Sequence, residues 1–238
     1  MAQYMYGRNV AKQMLKDGKD IKGIYLSSND KEIVAMAQKK KIPVYQGDRS
    51  RLTKLAGTDK HQGVVVEINE IKTYSVSDIT SSVKDGEYGL IILCDELEDP
   101  HNLGAILRTA DAVGANGVIF KKTNAVGLTP AVAKTSAGAI STVKCASVTN
   151  LSRTIDDLKK QGWWVVGADM NGQDYRTLKY DFHTVLVIGN EGKGISRLVK
   201  EKCDYIISLP MVGKITSLNA SVSAGILMYS IFEKRFPL

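Results

Sequence analysis

The amino-acid sequence predicts an α/β fold in which a mostly parallel sheet is covered by helices on both faces. Short apolar runs, such as residues 90–94 and 185–188, contain almost no polar side chains. Runs of this kind are typical of strands buried on both faces. They alternate with segments whose apolar residues recur at helical spacing, which favours parallel pairing. With 238 residues, 44% of them hydrophobic, the chain can bury a substantial core.

Residues 1–70 are predicted to form a small α/β domain of their own. Asn29 and Asp30 precede an apolar helical pattern and are suitable helix caps, and Pro43 ends that unit. The predicted helices span residues 7–16, 31–40 and 51–56, and the predicted strands span residues 21–26, 44–45 and 64–68.

Residues 71–88 are polar, rich in serine and threonine, and without a sustained period, so we predict a linker there. The alternation restarts in residues 89–238, which we predict to be a second and larger domain. Its predicted strands span residues 90–94, 117–120, 143–148, 163–168, 185–188 and 205–209, and its predicted helices residues 102–113, 130–137, 151–161, 196–202 and 218–232.

The net charge of +7 lies mostly in the first third of the chain. Residues 1–85 contain 15 Lys and Arg against 10 Asp and Glu, whereas residues 86–238 contain 17 against 15. A basic small domain beside a nearly neutral larger one indicates a module that grips a polyanion, attached to a module that carries chemistry. A lysine-rich soluble surface is the alternative interpretation.

The cysteines Cys94, Cys145 and Cys203 are widely spaced and lie beside apolar runs. We interpret them as reduced core thiols of a cytoplasmic protein. No segment combines a basic start with an apolar run, and no eighteen apolar residues run together, so neither export nor membrane insertion is expected.

Several common types of site are disfavoured because their sequence motifs are missing. GNEGKG at residues 189–194 matches neither the dinucleotide fingerprint nor the P-loop. The three histidines are far apart in sequence and no metal-ligand spacing is present, so no metal is expected. No G-x-S-x-G nucleophile elbow occurs.

Two predicted strands, in residues 185–188 and 205–209, each end in a loop of glycine and small polar residues. Such neighbouring exits are where α/β sheets bind ligands. Glu191, Ser217 and Asn219 offer a carboxylate, a hydroxyl and an amide there. For Ser217 and Asn219, capping of the following helix is an alternative that is compatible with function.

The segment 95–115 predicts an acidic turn followed by a helix that starts near Asn102. Arg108 lies six residues, or just under two turns, further on, among apolar neighbours that would partly shelter it. A capped helix whose arginine extends into solvent is the alternative.

Three motifs resemble those of a known family. Residues 102–110 read NLGAILRTA, residues 188–194 read IGNEGKG, and residues 209–224 read LPMVGKITSLNASVSA. In this order and at these separations they resemble the SpoU (TrmH-like) branch of the SPOUT RNA methyltransferases. YGRN at residues 6–9 and HQGV at residues 61–64 resemble the subgroup that 2′-O-methylates a guanosine of 23S ribosomal RNA.

The resemblance implies a larger domain with a trefoil knot that binds S-adenosylmethionine, a smaller substrate-binding domain like ribosomal protein L30, and a homodimer packed through the knotted domain. It implies that Arg108 is catalytic and that Asn102, Glu191, Ser217 and Asn219 orient the ribose, the phosphate and Arg108. It also implies a cofactor pocket formed by Ala168, Gly189, Asn190, Gly192, Leu209, Pro210, Met211 and Leu218.

We assign RNA contacts to the small domain, with phosphates held by its basic groups. The candidates are Arg8, Asn9, Lys12, Arg49, Arg51, Lys54 and His61. His101 is a conventional candidate for the base, but it lies outside the motifs. Rival functions are 2′-O-methylation of a transfer RNA or of another ribosomal position, and a non-catalytic RNA-binding protein of ribosome assembly.

Overall fold

The computed structural model describes residues 3–17, 21–68, 72–214 and 217–237. The chain divides into two compact units, residues 1–71 and 72–238. Both units mix helices with strands, and the sheet of the second unit is parallel, so the predicted α/β class is confirmed.

The first unit is built on a four-stranded sheet with the order β1-β4-β2-β3. Strands β2 and β3 are parallel, whereas β4 pairs antiparallel with β1 and β2. The sequence analysis missed β1, because its four residues are too short for a pattern and its pairing partner is some sixty residues away. The elements are β1 Gln3–Tyr6, α1 Arg8–Asp17, β2 Ile21–Leu26, α2 Lys31–Lys39, β3 Val44–Gln46, α3 Arg49–Ala56 and β4 Val64–Ile68.

The second unit contains a six-stranded sheet with the order β10-β8-β9-β5-β6-β7. Every pairing described in this sheet is parallel. Its strands are β5 Leu90–Cys94, β6 Gly117–Lys121, β7 Cys145–Val148, β8 Trp164–Asp174, β9 Thr184–Ile188 and β10 Tyr205–Ser208. Its helices are α4 Val76–Thr80, α5 Pro100–Ala112, α6 Pro130–Thr135, α7 Leu151–Lys160, α8 Arg197–Lys200 and α9 Ala220–Arg235.

Residues 72–88 pack as part of the second unit rather than as the predicted linker. They contain α4, which begins at a capping box between Ser75 and Asp78. Ile79 is fully buried in the core that also contains Ile119 and Trp163. Val76 also packs against this core, but a helix of five residues with two apolar contacts is too short to produce a period, so the composition of the segment did not reveal it.

The core of the second unit accounts for its continuous apolar strands. Strand β9 is buried at every position, as is β5, and alternate residues of both point to opposite faces of the sheet. One face packs against α7 through Leu151, Ile155 and Leu158. Within the described ranges, no helix has the length and apolar character needed to span a membrane.

Candidate active site

A cavity of about 820 Å³ opens at the carboxyl edge of the parallel sheet. Its walls are the segments that follow or interrupt three neighbouring strands, together with the start of α9. This is the edge at which parallel α/β sheets bind ligands, and the volume suits a cofactor of nucleoside size. The residues that line it include 168–171, 188–194, 207–211, 213, 217, 218 and 223.

The loop after β9 is a tight turn built from main-chain contacts. Asn190 and Gly194 exchange two backbone hydrogen bonds of 3.0 and 2.9 Å. The Asn190 side chain accepts from the N–H groups of Gly192 and Lys193. A Cβ at Gly189 would lie 2.3 Å from the carbonyl carbon of Gly194, so any larger residue would force the turn open. This turn therefore presents backbone to the cavity.

Two contacts attach this loop to the end of β5. The buried Asp95 carboxylate accepts a hydrogen bond of 2.7 Å from the N–H of Ser196. The amide of Asn190 donates to the carbonyl of Glu96 at 2.9 Å. The side chain of Asn190 is thus occupied in holding the loop, and its predicted contact with a cofactor would involve its backbone.

Strand β8 supplies a wall of the cavity of which the sequence analysis predicted only Ala168. The strand pairs with β10 through Val166 and Gly167 and again through Gln173 and Asp174. Five residues lie between these pairings as a bulge, and four of them, residues 168–171, line the cavity. The prediction ended this strand at residue 168. Glycines at both ends of the bulge, Gly167 and Gly172, were the available indication.

Asp169 in this bulge brings a carboxylate to the cavity. It accepts from Lys200 at 2.8 Å and from the N–H of Asn171 at 3.0 Å. Burial by itself would raise the pKa of Asp169, but these bonds outweigh burial and hold the pKa below its usual range. Asp169 therefore stays ionised near neutral pH.

Asn102 lies beside the cavity, in the first turn of α5. The helix begins at Pro100, two residues earlier than predicted, because the Asp99 side chain caps it through the N–H of His101. The Asn102 side chain is buried, and its amide donates a hydrogen bond to the carboxylate of Glu191 in the loop after β9. The structure thus brings two of the predicted catalytic residues together.

Comparison with known protein families shows which family contains this chain. Residues 89–229, more than half of the chain, match the family described as "SpoU rRNA Methylase family". The chain belongs to the SpoU rRNA methylase family. Residues 4–74 also match "RNA 2'-O ribose methyltransferase substrate binding". The chain is therefore an RNA methyltransferase by family, with a substrate-binding module in its first unit.

Relatives support this assignment over the full length. A protein of Bacillus subtilis (strain 168) named as a TrmH family tRNA/rRNA methyltransferase is 43% identical over 99% of this chain and 97% of its own. A protein with the same family name from Staphylococcus haemolyticus is 44% identical over 96% of this chain and 94% of its own.

Solved structures support the fold. The SpoU methyltransferase AviRb from Streptomyces viridochromogenes, in complex with AdoMet, aligns with a TM-score of 0.76 at 24% identity over 98% of this chain and 90% of that one. An AdoMet-bound rRNA methyltransferase from Sinorhizobium meliloti aligns with a TM-score of 0.72 at 24% identity, over 97% and 86%. The two cofactor complexes show that these two proteins, which share the fold of this chain, bind AdoMet.

In this SpoU methylase, all eight residues predicted for the cofactor line the cavity, as do Glu191 and Ser217. Asn219 instead caps α9, since its side-chain oxygen accepts from the N–H groups of Ser221 and Val222. The capping interpretation of Asn219 is therefore confirmed. Ser217 has no such capping bond among the described contacts.

Arg108 differs from the expectation of a sheltered side chain, because it is exposed. Its six-residue separation from Asn102 turns the two side chains about 120° apart around α5, and it does not line the cavity of its own chain. Within the described residues, no carboxylate lies within ion-pair distance of Arg108. The guanidinium is thus available to an external anion.

The RNA-contact residues predicted in the first unit have different environments. His61 is fully buried, with hydrogen bonds to Thr53 and to the N–H of Gly63, so its predicted RNA contact is corrected to a structural role. Arg8 pairs with Asp30 at 2.6 Å, and Lys12 pairs with Glu32. The exposed members are Arg8, Asn9, Arg49, Arg51 and Lys54.

Metal ligation has no support in the described parts of the chain. No group of three or more His, Cys, Asp or Glu side chains there could hold a metal ion.

Proposed function

We propose that this RNA methyltransferase transfers the methyl group of S-adenosylmethionine to a ribose 2′-oxygen, with a guanosine of 23S ribosomal RNA as its target. The observation that carries the proposal is the backbone-lined cavity at the carboxyl edge of β8, β9 and β10, with the Asn102–Glu191 pair beside it. The family match of residues 4–74 supports the ribose 2′-oxygen as acceptor. The motifs YGRN and HQGV support the ribosomal guanosine.

The residues present fit an adenosyl cofactor. A side chain at position 189 would overlap the backbone of Gly194, so at Gly189 it is the main chain itself that lines the cavity. Leu209, Met211 and Leu218 supply an apolar wall for a flat base, while Asp169 supplies a negative charge suited to ribose hydroxyls or to a cation. These residues would hold the cofactor in our proposal. When bound, S-adenosylmethionine supplies an electrophilic methyl group attached to a sulfonium.

The chain's own residues position the acceptor. Arg108 is not a suitable proton acceptor, because a guanidinium stays protonated at physiological pH. We assign it the phosphate of the target nucleotide, where its charge also favours loss of the 2′-hydroxyl proton to solvent water as the oxygen takes the methyl group. Glu191, oriented by Asn102, and Ser217 would orient the ribose. Alignment of the hydroxyl then contributes the larger share of the rate.

A homodimer belongs to the same proposal. Helix α9 buries one apolar face through Ala224, Leu227 and Ile231. On its opposite face Val222, Ile226 and Tyr229 are 50%, 38% and 47% exposed. A helix that is apolar on both sides is normally covered on both sides. A second copy would cover this face, and Val222→Asp should convert a dimer to a monomer in sedimentation equilibrium.

We place the protein in the cytoplasm. All three cysteines are described, and none forms a disulfide. Burial raises the pKa of the Cys145 thiol to about 12, which keeps it protonated and unreactive. Unpaired cysteines of this kind are typical of a reducing compartment.

The deciding experiment is methyl transfer with identification of the product. In three separate reactions, the protein is incubated with labelled S-adenosylmethionine and unmodified 23S, 16S or transfer RNA. The RNA of each reaction is then digested and analysed by mass spectrometry. We expect label in 23S RNA as 2′-O-methylguanosine. Label in transfer RNA or in another nucleoside would overturn the target. Absence of label in every RNA, together with absence of cofactor binding, would overturn the enzymatic proposal.

A further inference from the structure

One face of the small sheet in the first unit is lined with tyrosines. Successive residues of a strand point to opposite faces, and the strand register brings four tyrosines to the same side. Met5, which alternates with two of them, is buried on the other side. The four residues are Tyr4 and Tyr6 of β1, Tyr25 of β2 and Tyr45 of β3, with Val65 and Glu67 of β4 between them.

Two of these rings form a stack that is open to solvent. The rings of Tyr25 and Tyr45 have centroids 5.1 Å apart and planes inclined by 27°. Tyr4 packs edge-on against Tyr25 at 6.3 Å. A Cβ at Gly23 would lie 2.9 Å from Cε2 of Tyr45, so the glycine provides the space in which the Tyr45 ring lies. Tyr45 is thus held in place while 45% of it remains exposed.

The charges beside the stack favour an anion-bearing partner. The guanidinium carbon of Arg51 lies 5.6 Å from the Tyr25 centroid. In the described parts of the chain, no carboxylate lies within ion-pair distance of Arg51. Glu67 would repel phosphate, but the Tyr25 hydroxyl donates to it at 2.7 Å and Lys22 pairs with it at 3.1 Å. Residues 1–71 contain 13 Lys and Arg against 8 Asp and Glu.

We propose that Tyr45, backed by Tyr25, stacks an unpaired base of the substrate RNA, while Arg51 holds the adjoining phosphate. Exposed aromatic rings beside a cation are how proteins hold single-stranded nucleic acid, because every base has a flat face and every nucleotide a negative charge. The proposal rests on the proposed function, in that the RNA is the methylation substrate, and it assigns part of that recognition to Tyr25 and Tyr45.

The face is a poor match for an apolar protein partner. Among the described residues of the first unit, the exposed large hydrophobic side chains are Tyr6 and Tyr45, both with a hydroxyl group. In residues 4–16 and 21–68 of that unit, no exposed Leu, Ile, Val, Met or Phe accompanies them. A protein interface would normally centre on a larger desolvated apolar patch.

The first test measures binding of the full chain to a short unstructured RNA and to a fully paired duplex of the same length. Tyr45→Ala should weaken single-strand binding by about 5-fold to 100-fold, the range for losing one base–aromatic stack. Tyr45→Phe should bind like the wild type, because the ring is kept. Tyr88→Ala is the matched control, since Tyr88 is 51% exposed but belongs to the second unit. Duplex binding should change less than about twofold in all variants.

The second test needs no variant and is therefore independent of folding. The wild-type protein is irradiated with a single-stranded RNA that contains 5-bromouridine, and the cross-linked peptide is identified by mass spectrometry. Cross-links on residues 44–46 or 25 support the proposal. Equal single-strand affinity of Tyr45→Ala and wild type, or cross-links confined to other segments, would overturn it. If Tyr45→Ala changes the oligomeric mass of the protein but not its affinity for RNA, the face is a protein contact and the proposal is overturned.

Failure of this inference can be told apart from failure of the proposed function. In methyl transfer, Tyr45→Ala should raise KM for RNA and leave kcat unchanged, because Tyr45 belongs to the first unit and is not among the residues that line the cavity. A wild type that methylates 23S RNA while Tyr45→Ala keeps its KM overturns only the stacking. A wild type that methylates nothing but cross-links at Tyr45 overturns only the methylation.

Discussion

The buried amide of Asn102 donates a hydrogen bond to the carboxylate of Glu191, and this bond joins the first turn of α5 to the loop after β9. The two residues are 89 positions apart in sequence. One end of the bond lies in the SpoU motif at residues 102–110 and the other in the motif at residues 188–194, so the pair links two of the three motifs physically.

Replacing Asn102 by Ala should impair catalysis more than stability. The substitution leaves a Glu191 oxygen without its donor, and hydrogen bonds to charged groups contribute about 1.5 to 3 kcal/mol. We expect kcat/KM for RNA methylation to fall about 10-fold to 100-fold. Asn102→Asp should be worse, because two carboxylates would then face each other. A variant with wild-type kcat/KM would contradict the orienting role of Asn102, and thermal melting serves as the folding control.

Replacing Gly189 by Ala should abolish cofactor binding, whereas Gly192→Ala should not. The new Cβ at position 189 would lie 2.3 Å from the backbone of Gly194, but at position 192 its nearest neighbour would be the Asn190 side chain at 3.6 Å. Both residues belong to the same loop, so comparing the two variants distinguishes the effect of overlap with the backbone from the effect of losing a glycine. Equilibrium dialysis with S-adenosylmethionine measures the difference, which we expect to exceed about 100-fold in Kd. Equal affinities would show that the turn does not shape the pocket.

Replacing Arg108 by Lys should lower kcat without changing cofactor affinity. Lysine keeps the charge but loses the two-pronged geometry with which a guanidinium holds a phosphate. We expect kcat to fall about 10²-fold to 10³-fold, with S-adenosylmethionine affinity unchanged because Arg108 lies outside the cavity lining. The exposed Arg153→Lys is the matched control. An Arg108→Lys enzyme that stays active with a shifted pH profile would instead indicate that residue 108 takes the proton.

Arg235 should be a large contributor to the stability of the second unit. Its guanidinium donates to the carbonyls of Tyr88, Gly89, Tyr180 and Phe182 and to the Thr184 hydroxyl. Desolvation lowers its pKa to about 10.

We expect Arg235→Ala to lower the free energy of unfolding by about 2 to 4 kcal/mol, because several acceptors lose their donor at once. Urea unfolding followed by tryptophan fluorescence measures the change. Arg197→Ala is the control, since that exposed pair with Glu201 should contribute less than about 1 kcal/mol. Similar losses in both variants would contradict the role of Arg235.

Stability should fall at alkaline pH because of the buried thiols. Burial raises the pKa of Cys145 to about 12, whereas an unfolded thiol titrates near about 8.5. Above that lower value the unfolded chain binds fewer protons than the folded one, so the free energy of unfolding decreases as pH rises towards 12. Cys145 should contribute about 1.4 kcal/mol per pH unit in this window. Urea unfolding between pH 8 and pH 10 should give a shallower decline for Cys145→Ala than for wild type, and parallel curves would refute this.

Much of the fold could be predicted from short stretches of sequence alone. Strand β2, strand β4 and strand β5 begin and end at the predicted residues, because long apolar runs between turn residues need no distant partner to be recognised. The observed helix starts differ from the predicted ones where the capping residue lies outside the apolar pattern from which the helix was predicted. Asp48 accepts from the N–H of Arg51 at 2.7 Å and thereby starts α3 at Arg49, two residues before the predicted start.

The sequence by itself determined the α/β alternation and the two glycine-rich strand exits, and its three ordered motifs resembled the family to which the chain belongs. Only the tertiary structure decided which polar groups meet. It buried His61, used Asn219 as a helix cap, turned Arg108 away from its own cavity and brought Asp169 into the cavity through the bulge of β8. The reason is that apolar periodicity reports local backbone shape, whereas the partner of a polar side chain depends on which distant segments the sheet order brings together.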